Sequence, residues 1–133
     1  MKKRTSKVTA SLEDYLEAIY FLNGDEGVRV TDLALELNIS KPSVNRAVNT
    51  LKNQGLVEHE HYGNLKLTEK GLELAKNVAQ RHKVLKRFLK NILGVEEKTA
   101  EKEACLIEHN LSADTIHKIS EYTNKILNEK SLF

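Results

Sequence analysis

Cys105, Glu108 and His109 stand at positions i, i+3 and i+4, a spacing that puts a thiol, a carboxylate and an imidazole on one face of a helix. Soft sulfur, borderline nitrogen and hard oxygen together suit a divalent transition ion. Magnesium and calcium prefer oxygen donors alone. One helix gives an incomplete site, so further donors must come from elsewhere in the chain. Asp14 and Glu17, spaced i and i+3, and His82 are the candidates. Each also has an ordinary reading. Paired acids on a helix are usually solvated, and an inward histidine is usually a hydrogen-bonded part of a core. Glu101 lies on the same helical line as Cys105 and can be read either way. Cys105 with His109 also resembles a nucleophile beside a base. No oxyanion-hole motif or substrate pocket accompanies the pair, so catalysis and a small-molecule substrate are not expected.

The elements that must position these residues can be read from periodicity and capping. Residues 8–23 form a helix with Leu12, Tyr15, Leu16, Ile19 and Tyr20 on one stripe. A loop at residues 23–27 follows, then a short helix with Thr31 as N-cap and Leu33, Ala34 and Leu37 inward. A third helix begins at Pro42, with Ser40 or Lys41 just outside it, and buries Val44, Ala47, Val48 and Leu51 before Gly55 stops it. Residues 56–61 and 65–67 alternate with period 2 around Tyr62-Gly63-Asn64, which predicts a β-hairpin. Thr68 caps a long helix over about 69–93, with His82 on its apolar stripe. A helix over about 97–110 aligns Ala100, Ala104, Ile107 and Leu111, and Ser112 caps a last helix.

Composition sets the outer limits. The chain has 133 residues, 40% of them apolar and 30% charged, which fits a folded domain with a helical extension. No apolar run is long enough to span a bilayer, and the basic Met1-Lys2-Lys3-Arg4 leads into polar residues rather than a signal sequence. The single cysteine fits a reducing cytoplasm. The net charge of +2 conceals an asymmetry: residues 40–90 carry eleven Lys/Arg against four Asp/Glu, and residues 91–133 carry five against eight. A basic half joined to an acidic half points to two tasks, one of them on a polyanion.

Helix, short helix, tight turn, helix and hairpin is the order of a winged helix-turn-helix, whose third helix enters the major groove. Opposite its apolar stripe that helix presents Pro42, Arg46, Asn49 and Asn53, flanked by Ser43 and Asn45. Arg pairs with guanine and Asn with adenine. Residues 39–57 contain no acid, unlike an ordinary solvated face. Candidate DNA contacts are therefore Ser40, Lys41, Pro42, Ser43, Asn45, Arg46 and Asn49 from the helix, with Tyr62 and Asn64 at the hairpin tip touching phosphate or minor groove. His59 and His61 share one strand face and are read as half-exposed sheet residues rather than ligands.

These stretches together resemble the diphtheria-toxin-repressor and manganese-transport-regulator family of metal-dependent bacterial repressors. The resemblance rests on residues 12–20 (LEDYLEAIY), 40–44 (SKPSV), 67–71 (LTEKG), Arg81-His82 and, most specifically, 103–112 (EACLIEHNLS). It implies a mostly α protein, with a winged helix-turn-helix DNA-binding domain over residues 1–70 and an all-helical metal-sensing and dimerisation domain over residues 71–133. It implies a cytoplasmic homodimer that binds operator DNA, controls metal-uptake genes and has no membrane partner. Asp14 and Glu17 match the acidic pair of the manganese branch, and His82, Glu108 and His109 match family ligands. Cys105 matches the iron branch, where the manganese branch has a carboxylate. Glu101 stands where the iron branch keeps an ancillary histidine, and Lys86 where it has a carboxylate. The expected cofactor is Mn2+ or Fe2+, with Zn2+ or Co2+ tolerated in vitro. The sequence ends at Phe133, so the SH3-like domain of longer members is expected to be absent. The rival expectations are a metal-independent winged-helix regulator that answers to an organic ligand, and a helical metal-storage protein, against which the acid-free stretch argues.

Overall fold

The computed structural model describes residues 10–22, 27–59 and 64–131. The chain divides into two units, Met1–Asn77 and Val78–Phe133. In the first, α1 (Ala10–Leu22), α2 (Val30–Leu37) and α3 (Lys41–Asn53) pack around strands β1 (Val28–Arg29), β2 (Val57–His59) and β3 (Asn64–Leu67). The strands form one antiparallel sheet in the order β1-β3-β2, with Val28 opposite Leu65 and Val57 opposite Leu67. The fold class expected from the sequence is borne out, but the wing has a third strand. Two residues are too short to show an alternating pattern, so β1 was not legible.

The core of this unit joins Leu16 and Ile19 of α1, Leu33 of α2, Val44, Val48 and Leu51 of α3, and Leu56 and Leu65 from the hairpin. Each of these larger side chains contributes about 1.5–3 kcal/mol by leaving water. Local chemistry starts α3 where expected: the Ser40 hydroxyl accepts the Ser43 amide, and proline occupies the first turn. Gly55, at φ +75°, takes the left-handed position just past that helix, which a side chain would disfavour. The start of α2 differs from expectation. Arg29 is the capping residue and Thr31 lies inside the first turn, because pairing of Val28 and Arg29 with β3 sets where the strand ends. Asn38, left-handed at φ 55°, closes α2.

The long helix α4 (Glu69–Arg87) runs through the boundary between the units. The second unit continues it as a π-helical turn at Phe88–Ile92, followed by α5 (Glu97–Ile107) and α6 (Ala113–Ser131). The sequence predicted unbroken α-helix to residue 93; the apolar spacing of Leu85, Leu89 and Ile92 does not distinguish the two windings. Leu85, Ala104 and Ile116 form the centre of the core here, with Val84, Leu89, Leu111 and Ile119 against them. The Ser112 hydroxyl accepts the Thr115 amide and caps α6 as expected. Among the described residues no helix is long and apolar enough to cross a membrane.

Candidate metal centre

In α5 the inward line is Ala100, Ala104 and Glu108, not Ala100, Ala104 and Ile107. Ile107 is exposed, and the Glu108 carboxylate is completely buried. The physical reason is that the helix ends at Ile107 while Glu108 keeps helical backbone angles, its amide still bonded to the Ala104 carbonyl. The i+4 repeat therefore carries one residue further and points an acid into the unit.

A buried carboxylate costs several kcal/mol unless it is matched by charge and hydrogen bonds. Three residues address Glu108. His82 of α4 places Nδ1 2.8 Å from Oε1. His109 places Nε2 3.2 Å from Oε2. Arg81 donates from Nη1 to the main-chain carbonyl of Glu108 at 3.0 Å. Even so, Oε2 has no partner of hydrogen-bonding geometry, only the close His109 nitrogen. Ligand atoms of Cys105, Glu108 and His109 lie within 4.8 Å of one another. The cluster is thus a thiol, an imidazole and an under-satisfied buried carboxylate on one short stretch of chain. That donor set fits a borderline divalent ion, which would satisfy the orphaned oxygen as no residue here does.

Glu108, first, and Glu101 hold the His82 imidazole well above its ordinary 6.5, at about 9, against the opposing effect of burial. Because the folded value exceeds the unfolded one, the stabilisation is complete below pH 6.5 and is lost as pH rises through about 9. The melting temperature of chelator-treated protein should therefore fall across that window. A flat or rising profile would contradict the pairing.

The remaining sequence-predicted residues fall as follows. Asp14 and Glu17 lie on α1 in the first unit, both half-buried. On α3, Lys41, Pro42, Asn45, Arg46 and Asn49 are exposed, and Ser43 is half-buried. Arg46 donates from Nη2 to the Ser43 hydroxyl at 3.2 Å, which steadies the guanidinium along the exposed face. Asn64 opens β3, while Tyr62 and His61 lie outside the described residues. A shallow groove is lined by Asn45, Arg46, Asn49 and Lys52 together with His59 of β2. Sequence reasoning did not count Lys52 among the candidate contacts and read His59 as a half-exposed sheet residue, which it is. It also left out Arg81, whose role depends on a carbonyl that only the tertiary fold supplies.

Comparison with known proteins gives a consistent result. Residues 7–65 match the family described as iron dependent repressor, N-terminal DNA binding domain. Residues 68–129 match iron dependent repressor, metal binding and dimerisation domain. An HTH-type transcriptional regulator of Methanocaldococcus jannaschii is 39% identical over 89% of this chain and 96% of its own length. The HTH-type transcriptional regulator MntR of Bacillus subtilis is 38% identical over 85% of this chain and 80% of its own. Among solved structures, the manganese regulator SloR superposes with a TM-score of 0.77 at 30% identity over 85% of this chain. A manganese-dependent transcriptional repressor in complex with manganese does so at 0.78 and 29% over 85%. The chain spans about half the length of those two, at 53% and 52%.

Proposed function

Because the chain belongs to the iron-dependent repressor family, and so to the metal-sensing DNA-binding transcriptional repressors, we propose that it senses Mn(II) or Fe(II) and in response represses metal-uptake genes in the cytoplasm. The observation that carries this reading is the buried Glu108 carboxylate, with an orphaned oxygen, beside Cys105 and His109.

In this reading Cys105, Glu108, His109 and His82 hold the ion in the sensing unit. Asp14 and Glu17, from α1 of the DNA-binding unit, complete its ligands. Without a cation, the carboxylates of α1 and of α5 repel one another. When bound, the divalent ion supplies the positive charge that turns this repulsion into attraction. The fixed α1 then steadies the unit that carries α3. Arg46, Asn45 and Asn49 read base edges in the major groove, while Ser40, Lys41, Pro42, Ser43 and the hairpin residues Tyr62 and Asn64 set the register on the backbone. A homodimer presents two such helices one turn of DNA, ~34 Å, apart. Residues that bind the ion ~100-fold better in the DNA-competent arrangement shift that equilibrium by about 2.7 kcal/mol.

The sulfur of Cys105 favours Fe(II), and the Asp14/Glu17 pair favours Mn(II). Anaerobic titration of Mn(II), Fe(II) and Zn(II) against binding of a selected DNA duplex tests the reading. Tight DNA binding should appear on addition of Mn(II) or Fe(II). Binding that ignores all three ions would overturn it.

A further inference from the structure

His82 has two ring nitrogens, and the structure gives each a different carboxylate. Nδ1 faces Oε1 of the buried Glu108 at 2.8 Å. Nε2 faces Oε2 of Glu101, on the first turns of α5, at 3.0 Å. The other Glu101 oxygen, Oε1, takes the Lys86 ammonium at 3.1 Å. Lys86 in turn is held by Glu97 at 3.2 Å, and Glu97 by Lys90 at 2.6 Å. A braced row of alternating charges thus links the end of α4 and the π-helical turn to α5 and ends on His82.

We propose that Glu101, braced by Lys86, is a positioning residue: it keeps the His82 proton on Nε2 and leaves the Nδ1 lone pair directed at the ion beside Glu108. Both ring nitrogens face carboxylates, so an ion bound beside Glu108 decides between them: it would take the Nδ1 lone pair, and the one proton of the neutral imidazole stays on Nε2, where Glu101 accepts it. Histidines that bind metals commonly donate their second N–H to such a group, which fixes the tautomer and raises the basicity of the ligating nitrogen. Glu101 is not among the donor atoms that gather as a candidate ion site in the described residues, so its part is played through His82. This inference rests on the metal-sensing reading above.

The test uses the full chain, with Mn(II) measured by isothermal titration and the metal set by Zn(II) for 15N spectra of the imidazoles. Glu101→Ala should weaken Mn(II) binding by about 10–100-fold with the number of ions per chain unchanged. Glu101→Gln, whose amide oxygen still accepts from Nε2, should recover most of that loss. In the Zn(II)-loaded wild type, Nε2 of His82 should carry the proton and Nδ1 the metal-shifted resonance; in Glu101→Ala the tautomers should mix. Wild-type affinity in Glu101→Ala, loss of an ion in both variants, or a metal-shifted Nε2 each overturns the proposal. Two further variants, His82→Ala and Glu108→Gln, separate the failures. If they lose Mn(II) while Glu101→Ala does not, only the role of Glu101 falls. If neither changes Mn(II) binding, the metal centre falls with it.

Discussion

Glu108→Gln should lower Mn(II) affinity by at least about 100-fold while leaving the fold intact. The side chain is completely buried, so the substitution must keep its shape, and glutamine does. Its amide oxygen can still accept from His82 at the position of Oε1, and the Arg81 bond to the main-chain carbonyl does not involve the side chain. What disappears is the negative charge and the orphaned oxygen. Loss of a residue that only orients a metal ligand costs about 10–100-fold, so loss of a charged ligand should cost more. Removing a buried charge also relieves its desolvation cost, so the metal-free variant should melt at or above the wild-type temperature once the pH is well above about 9, where His82 has lost its proton and no longer offsets that charge. Titration calorimetry and thermal unfolding in chelator give both numbers. Wild-type Mn(II) affinity in this variant would mean that Glu108 is only a buried ion-pair partner of His82.

Gly71→Ala should destabilise the protein by about 2–3 kcal/mol, or prevent folding. A methyl group at this position would meet the Leu56 carbonyl oxygen at 1.9 Å and its carbon at 2.9 Å. These are backbone atoms, so no side-chain rotation relieves the clash. The approach is close because the same carbonyl accepts the Thr68 amide at 3.0 Å. The Thr68 hydroxyl then donates to the Gly55 carbonyl at 2.7 Å and accepts the Gly71 amide at 3.0 Å. Thr68 and Gly71 thus seat the first turn of α4 against the chain entering the hairpin, and α4 later carries His82. Urea unfolding measures the cost; a change below about 0.5 kcal/mol would show that the helix start can shift freely.

These two residues also show what sequence can and cannot reveal. The cap at Thr68 follows from local chemistry, as do Ser40 before Pro42 and Ser112 before α6, whereas the need for glycine at 71 comes from the distant Leu56 backbone. Each cap is satisfied within one turn, so its residues are adjacent in the chain. The period-3.6 stripes placed the core of α1 and α3 for the same reason. Features that depend on distant backbone were not legible. Strand β1 exists because β3 offers it an edge, and it moved the start of α2 from Thr31 to Arg29. Arg81 matters because the end of α5 brings it a carbonyl.

The metal centre falls between these cases. The residue types and spacing of Cys105, Glu108 and His109 announced a donor set, but the helical stripe through Ile107 hid the burial of Glu108. A pattern of apolar residues cannot say that an acid continues the inward line. Glu101 lay on the right face and was open to either reading; only the opposite placement of Lys86 and His82 gives each of its oxygens a partner. His82 itself was expected inward, and the structure adds which nitrogen faces which acid.

The most direct measurement is the affinity of the wild type, Cys105→Ala and His109→Ala for a selected DNA duplex, each with Mn(II) or Fe(II) under anaerobic conditions and again in excess chelator. The account predicts that chelator weakens the wild type by about 100-fold. It predicts that both variants bind as the chelated wild type does, with unchanged circular dichroism. Equal DNA affinity in all of these samples, with or without metal, would contradict it.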